Sequence, residues 1–210
     1  MLKNQTARHV AVTYGAMRYD EKFGSIPMLI VGESNGINEA DFSLDIVTSG
    51  WIGGVTPTGS ENPLLASHDF SLAGIAAASI AVSEAFIYVR NEHPAAGFRS
   101  IGISLWEPGN LQWTGVDAQG PEVKYLPDSL WLVGLGHLGQ AYGWTIGMLP
   151  YQAPNKVQLY LQDFDIVETS NISTCVFVDA DDVGKRKTRV VAEQLDSLGF
   201  NTSIHERFME

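Results

Sequence analysis

Residues 129–139 constrain this chain more than any other stretch. Ser129-Leu130-Trp131-Leu132-Val133 reads as a strand and runs without a break into Gly134-Leu135-Gly136-His137-Leu138-Gly139. A strand that ends on glycines at this spacing and continues as a helix points to a parallel βαβ unit with its turn at the carboxyl end of the strand. Gly134 permits the tight exit, Gly136 lets a ligand reach the backbone, and Gly139 lets the helix pack against the sheet. A second apolar run ends on Asp163 and Asp165. Backbone amides at a helix N-terminus suit phosphate, and a carboxylate at the tip of the second strand suits ribose hydroxyls. The segment therefore reads as a site for an adenine nucleotide. A glycine turn with no ligand, and acids that only cap the loop after them, are the plainer readings of the same residues.

The order continues regularly. A strand at 129–133, a helix at 137–148, a strand at 156–162, a helix at 183–198 and a strand at 201–206 make a Rossmann-like parallel βαβαβ unit of the α/β class over 127–210. Asp181 or Asp182 is the expected cap of its second helix and Gly199 the stop. A smaller α+β region of unassigned role, 1–126, precedes it. Strands are expected there at 27–31 and 44–48, with a long Gly-, Pro-, Ser- and Thr-rich loop at 49–67 and a helix at 70–91. A hairpin-like pair, 101–105 and 110–114, flanks Pro108-Gly109. Leu72, Ile75, Ser79, Val82, Phe86 and Val89 recur at helical spacing, and the many alanines around them imply a helix packed tightly on both sides. Residues 1–20 carry little pattern.

Composition closes off several classes. With a formal net charge of −11, the chain lacks the basic face that nucleic acid needs. No apolar run reaches the ~20 residues of a membrane span, and the first residues have no signal-type apolar core, so a cytoplasmic protein is expected. The single cysteine, Cys175, rules out an internal disulfide and reads as a small buried residue. Glu33, Glu39, Asp41 and His68 lack metal-ligand spacing. Ser67-His68-Asp69 are adjacent and cannot converge on one reacting atom as a triad does. Asp69 or Ser71 is better read as a helix cap.

Beyond the glycine turn stand Asp163-Phe164-Asp165-Ile166-Val167-Glu168-Thr169-Ser170-Asn171 and Asp182-Val183-Gly184-Lys185-Arg186-Lys187. These three motifs in order resemble the family of ubiquitin-activating-type adenylating enzymes, which includes the ThiF and MoeB proteins of sulfur-carrier activation. The wording is similar to a divergent bacterial branch, and the resemblance covers about 129–208. It implies a protein, often a homodimer, that binds ATP and Mg2+ and adenylates the C-terminal carboxylate of a small ubiquitin-like or sulfur-carrier protein. The family's roles fall on matching positions. Gly134, Gly136 and Gly139 form the phosphate turn, and Asp163, with Asp165 beside it, takes the ribose. Asn171 and Lys187 hold the phosphates and act in catalysis, Lys187 stabilising charge that develops during attack at the α-phosphate. Such a reaction needs fixed cations and donors rather than a covalent side-chain step.

The pattern also departs from the family. Thr174 stands where the family has a phosphate-contacting arginine, and His137 where the turn has a further glycine. The magnesium aspartate, the later strands and the transfer cysteine would lie beyond the end of this chain. The expectation is thus the front portion of a truncated or split enzyme, with weak or no nucleotide binding and no turnover by itself. Arg8 and Arg18 are candidates, by location only, for a γ-phosphate contact. Lys187 also has a plain reading as part of a solvated basic cluster with Lys185, Arg186 and Arg189. Cations at a helix N-terminus oppose its dipole, however, and ask for a nearby anion. Two other functions remain open: an NAD-dependent oxidoreductase using the same turn, and a non-catalytic scaffold that keeps the fold.

Overall fold

The structure, a computed structural model, describes residues 6–17, 26–32, 40–61, 63–64, 68 and 70–207. Arg18, Glu33, Glu39, Ser67 and Asp69, singled out above, lie outside these residues. The chain divides into two compact units between Glu122 and Val123, and the N-terminal unit is the longer.

The N-terminal unit carries α1 (Ala7–Thr13), β1 (Pro27–Ile30), β2 (Phe42–Ser49), β3 (Ile52–Pro57), α2 (Ser71–Val89) and β4 (Ile101–Ser104). Its sheet runs β1-β2-β3-β4, with β1 parallel to β2 and the other pairs antiparallel. β3 lies inside the stretch expected to be loop. Its glycines, which argued against a strand, are what the packing requires. A Cβ on Gly53 would sit 2.2 Å from the Ala73 carbonyl oxygen of α2, and one on Gly54 would sit 2.8 Å from the Trp113 ring on the opposite face. β3 is therefore squeezed between a helix backbone and an indole, and neither side leaves room for a methyl.

That approach fixes which side of α2 is buried. Ala73, Ala77 and Ala81 are fully buried, whereas Val82, Phe86 and Val89 are exposed. The expected packed stripe thus turns to solvent from Ser79 onward, with Leu72 and Ile75 half-buried, because close backbone contact selects alanine over larger apolar residues. Phe70 is the N-cap without a side-chain bond, and Ser71 is the first helical residue rather than a cap. α2 is long and apolar enough, by length and composition, to cross a membrane, which corrects the expectation that no segment is. Its one charge, Glu84, is 2% exposed and faces inward. The Glu84 carboxylate accepts from the Arg99 Nη2 at 2.6 Å, from the Arg99 Nε, and from the Gly97 amide at 3.1 Å. Burial pushes this carboxyl up, but the Arg99 and Gly97 hydrogen bonds outweigh it and hold the group below the usual carboxylate range.

Residues 110–114 form turns, not the second strand of a hairpin. Trp113 is spent instead on covering Gly54 and Gly102, which pair across β3 and β4. The segment 105–121 that carries it is tied down where the Ser104 hydroxyl donates to the Ala118 carbonyl at 2.6 Å and the Trp51 indole N–H donates to the Pro121 carbonyl at 2.7 Å.

The C-terminal unit carries β5 (Ser129–Val133), α3 (His137–Met148), β6 (Gln158–Gln162), α4 (Lys187–Ser197) and β7 (Asn201–His205). The strands form an all-parallel sheet of order β5-β6-β7, the expected Rossmann-like βαβαβ order. Leu159, Leu161, Val191, Leu195 and Phe200 make the core, with Leu130 and Leu132 packed against it. On the other face of the sheet the rings of Trp131, Tyr160 and His205 lie side by side, 5.5–6.1 Å apart. α4 begins at Lys187, later than expected. Asp181 and Asp182 belong to a separate 3-10 turn (Ala180–Asp182), and Asp182 closes it by accepting from the Asp179 amide at 3.1 Å.

Candidate functional site: the glycine turn and the tip of β6

Gly134 leaves β5 at φ +83°, a left-handed conformation that favours glycine. Two residues on, Gly136 is the N-cap of α3, and a Cβ there would meet nothing within 4 Å. Gly139 is the opposite case: its Cβ would lie 1.9 Å from the Gly134 carbonyl oxygen, so α3 rests directly on the turn. No acidic residue and no side-chain cap occupy the first turn of α3. Its partly positive end thus faces open space over Gly136, where anions are favoured. His137 is exposed at the first helical position.

Asp163 follows β6 and is 8% exposed. Its Oδ2 accepts the Leu135 amide, inside the glycine turn, and its Oδ1 accepts the Asp165 amide at 2.7 Å. The acid expected to meet ribose is therefore also the clamp between the turn and the strand tip. Asp165 is the more open of the two, its side chain about half exposed, and its Oδ2 accepts from the Lys187 Nζ at 2.9 Å. The Lys187 amide donates to the Asp165 carbonyl at 3.1 Å, and its side chain is only 11% exposed. One unbroken run of hydrogen bonds thus leads from the α4 start through two carboxylates to the glycine turn.

The other motif positions are largely scaffolding. Val167 is buried with Cys175, Val178 and Val190, so the cysteine is a small core residue as expected. The Val167 amide donates to the Lys185 carbonyl at 2.8 Å and the Gly184 amide to the Val167 carbonyl at 2.9 Å. Residues 165–167 are thereby zipped to 184–187, which brings Lys187 to the strand tip. Burial raises the Asp182 carboxyl, but the Lys185 ammonium at 2.7 Å and the Asp179 amide together hold it below its ordinary value. The basic cluster finds its anions inside the protein: Lys185 on Asp182, Lys187 on Asp165, and Arg189 on Glu206, while Arg186 donates to the Phe164 carbonyl. The dipole argument is thus met by the chain's own carboxylates rather than requiring a phosphate.

Asn171 is half-buried, and its Oδ1 accepts the Glu168 amide at 2.9 Å. That leaves its Nδ2 hydrogens with no hydrogen bond among the described residues. Thr174, in the place of the family's arginine, turns its hydroxyl to the Ser170 carbonyl at 3.4 Å. Neither it nor any described neighbour in 169–178 brings a positive charge. Among the described residues no cluster of His, Cys, Asp and Glu could hold a metal.

Sequence reasoning missed Gln140. Its side chain is fully buried in α3, donating from Nε2 to the Leu135 carbonyl at 3.1 Å and accepting the Phe177 amide on Oε1 at 3.1 Å. A usable signal existed: Gly139, Gly143 and Gly147 mark the packed side of α3, and a glutamine beside that stripe must find partners inside.

A family model described as the BilD N-terminal domain matches residues 1–105, and one described as the BilD C-terminal domain matches residues 126–210. The chain is similar to the bacterial E1-like protein BilD of Collimonas sp. (strain OK412), at 39% identity over 181 residues and 86% of this chain. It spans 39% of that relative's length. Among solved structures, the tRNA N6-threonylcarbamoyladenosine dehydratase TcdA of E. coli is similar over 39% of this chain and 33% of its own, at 20% identity and a TM-score of 0.33. E. coli MccB, solved with ATP, is similar over 79% of this chain and 55% of its own, at 15% identity and a TM-score of 0.33.

Proposed function

Because this chain belongs to the BilD family, we propose that its C-terminal unit is the nucleotide-binding part of an E1-like protein that adenylates the C-terminal carboxylate of a small ubiquitin-like or sulfur-carrier protein, using ATP with magnesium. The observation that carries this reading is the run Lys187–Asp165–Asp163–Leu135, which joins a cation, two sugar-facing acids and the glycine turn in one hydrogen-bonded unit. Gly136 and the start of α3 donate to the phosphates from the open side of the turn. Asn171 adds the two hydrogens of its amide, and Asp163 and Asp165 offer oxygens to the ribose diol. Lys187 is held ready by Asp165 and moves its charge to the phosphates when they arrive. In the transfer a carboxylate oxygen of the partner bonds to the α-phosphorus as the bond to the bridging oxygen breaks and pyrophosphate leaves. No side chain of this protein is covalently altered, so positioning and fixed charge supply the rate.

Calorimetry with magnesium–ATP and with NAD tests the reading. ATP is expected to bind the more tightly. Gly136→Ala should lower its affinity about tenfold, or about 1.4 kcal/mol, while leaving stability unchanged, because the methyl enters open space at an ordinary φ of −69°. Tighter binding of NAD, or an unchanged ATP affinity in Gly136→Ala, would reject it. A scaffold without catalysis draws its support from Thr174. If the site works on phosphates, Thr174→Arg should raise ATP affinity several-fold and steepen its salt dependence, since the new guanidinium adds a charge-assisted bond.

A further inference from the structure

The amide hydrogens of a glycine turn can serve phosphate only if the peptide planes are turned the right way. In a trans peptide the carbonyl and the N–H point in opposite directions, and the described backbone contains no cis bonds. The Leu135 carbonyl and the Gly136 N–H belong to one such plane. Gln140 pulls that carbonyl inward at 3.1 Å, so the Gly136 N–H points the opposite way, on a residue where a Cβ would meet nothing within 4 Å. Asp163 holds the preceding plane by accepting the Leu135 N–H. Leu135 is thus pinned on both sides, and its own side chain is fully buried. The other end of the same glutamine amide accepts the Phe177 N–H, in the segment that follows Asn171. Asn171 begins this segment by accepting the Cys175 amide on its carbonyl at 2.8 Å.

We infer that Gln140 is a positioning residue that aims the Gly136 amide at the phosphates and locks the Asn171 segment to the glycine turn. This rests on the nucleotide reading above and deepens it: the phosphate end of the site depends on one buried amide that itself never touches ligand. Its bond to Leu135 is buried and its bond from Phe177 partly so, and a partner lost in the interior is not replaced by water. Methionine has a similar length and can make neither bond. Glutamate is decisive in another way: protonated, it can donate to Leu135 and accept from Phe177 as glutamine does, but ionised it cannot donate. Burial raises its pKa, so the recovered form is reached as pH falls.

The test compares magnesium–ATP and adenosine as calorimetric probes for the wild-type chain, Gln140→Met and Gln140→Glu. Adenosine carries the ribose but no phosphate. Gln140→Met should weaken ATP about tenfold or more and leave adenosine within about twofold. Gln140→Glu should behave like methionine at alkaline pH and return toward the wild-type ATP-to-adenosine ratio as pH is lowered. A merely structural glutamine would weaken both probes alike, and that outcome overturns the inference. If the wild-type chain binds neither probe, the nucleotide reading fails first. The positioning claim is then decided by the 15N-resolved Gly136 amide of the free protein. Its hydrogen exchange should slow in Gln140→Met as the plane rotates inward, and an unchanged rate rejects the claim.

Discussion

Arg99→Met is expected to cost the N-terminal unit about 3–5 kcal/mol at neutral pH, more than Glu84→Gln, which should cost about 1–2 kcal/mol. The asymmetry follows from burial. The Glu84 side chain is 3% exposed and that of Arg99 34%. Removing arginine strands a carboxylate in the interior with the Gly97 amide as its remaining neutral donor, whereas removing the charge of Glu84 leaves a guanidinium that can reach water. The pH dependence separates the two states further. In the wild-type chain the Glu84 pKa lies below its unfolded value. The pair therefore contributes its full stability above about pH 4.3, the ordinary glutamate value, and loses it as pH falls through the folded pKa. In Arg99→Met burial is opposed only by the Gly97 amide and the charge of His93, and the carboxyl rises instead. That variant should regain relative stability on acidification, where the wild type loses it. Urea unfolding at several pH values, followed by hydrogen exchange of α2 amides, reads both slopes. Parallel pH curves for the two proteins would show that the ion pair is not what anchors α2 to the 93–99 loop.

The second large effect is expected from one methyl group in the other unit. Gly139→Ala places a Cβ 1.9 Å from the Gly134 carbonyl oxygen and 2.9 Å from its carbon. Alanine in a helix interior is favoured over glycine by about 1 kcal/mol, and overpacking commonly costs about 1–3 kcal/mol. The clash should win here and exceed the usual cost, because the obstructing atoms are backbone and no side chain can swing aside. A net loss of about 2 kcal/mol or more is expected for the C-terminal unit. Gly136→Ala, three residues away, should stay within about 0.5 kcal/mol of wild type. The contrast is measured by urea midpoints with exchange of β5 and β6 amides. Equal stability of the two variants would mean that α3 does not rest on the turn.

Much of the C-terminal unit was legible because its signals are local. The runs at 129–133 and 137–148 coincide with β5 and α3, since an apolar strand, a glycine turn and a helix specify one another over a few residues. The start of α4 was placed too early because Asp181 and Asp182 look like caps, while the zipper of 165–167 against 184–187 is a long-range pairing that no window sees. In the N-terminal unit two of the errors share one cause. β3 was hidden by Gly53 and Gly54, and the buried side of α2 by its alanines. Both are signatures of backbone approaching backbone, which periodicity of large apolar residues does not report. The candidate site was legible in its residue types, but not in its connections. That Asp163 spends both oxygens on amides, and that Gln140 joins two segments, follow from tertiary hydrogen bonds alone.

On the proposed reading Asp163 would serve both the ribose and the Leu135 amide, and that has a thermodynamic consequence. A sugar hydroxyl that draws on this carboxylate weakens its hold on the Leu135 amide, and a polyphosphate that tightens the turn strengthens it. The two ends of one nucleotide then communicate through a single acid, so affinities measured for separate fragments should not sum to that of the intact molecule.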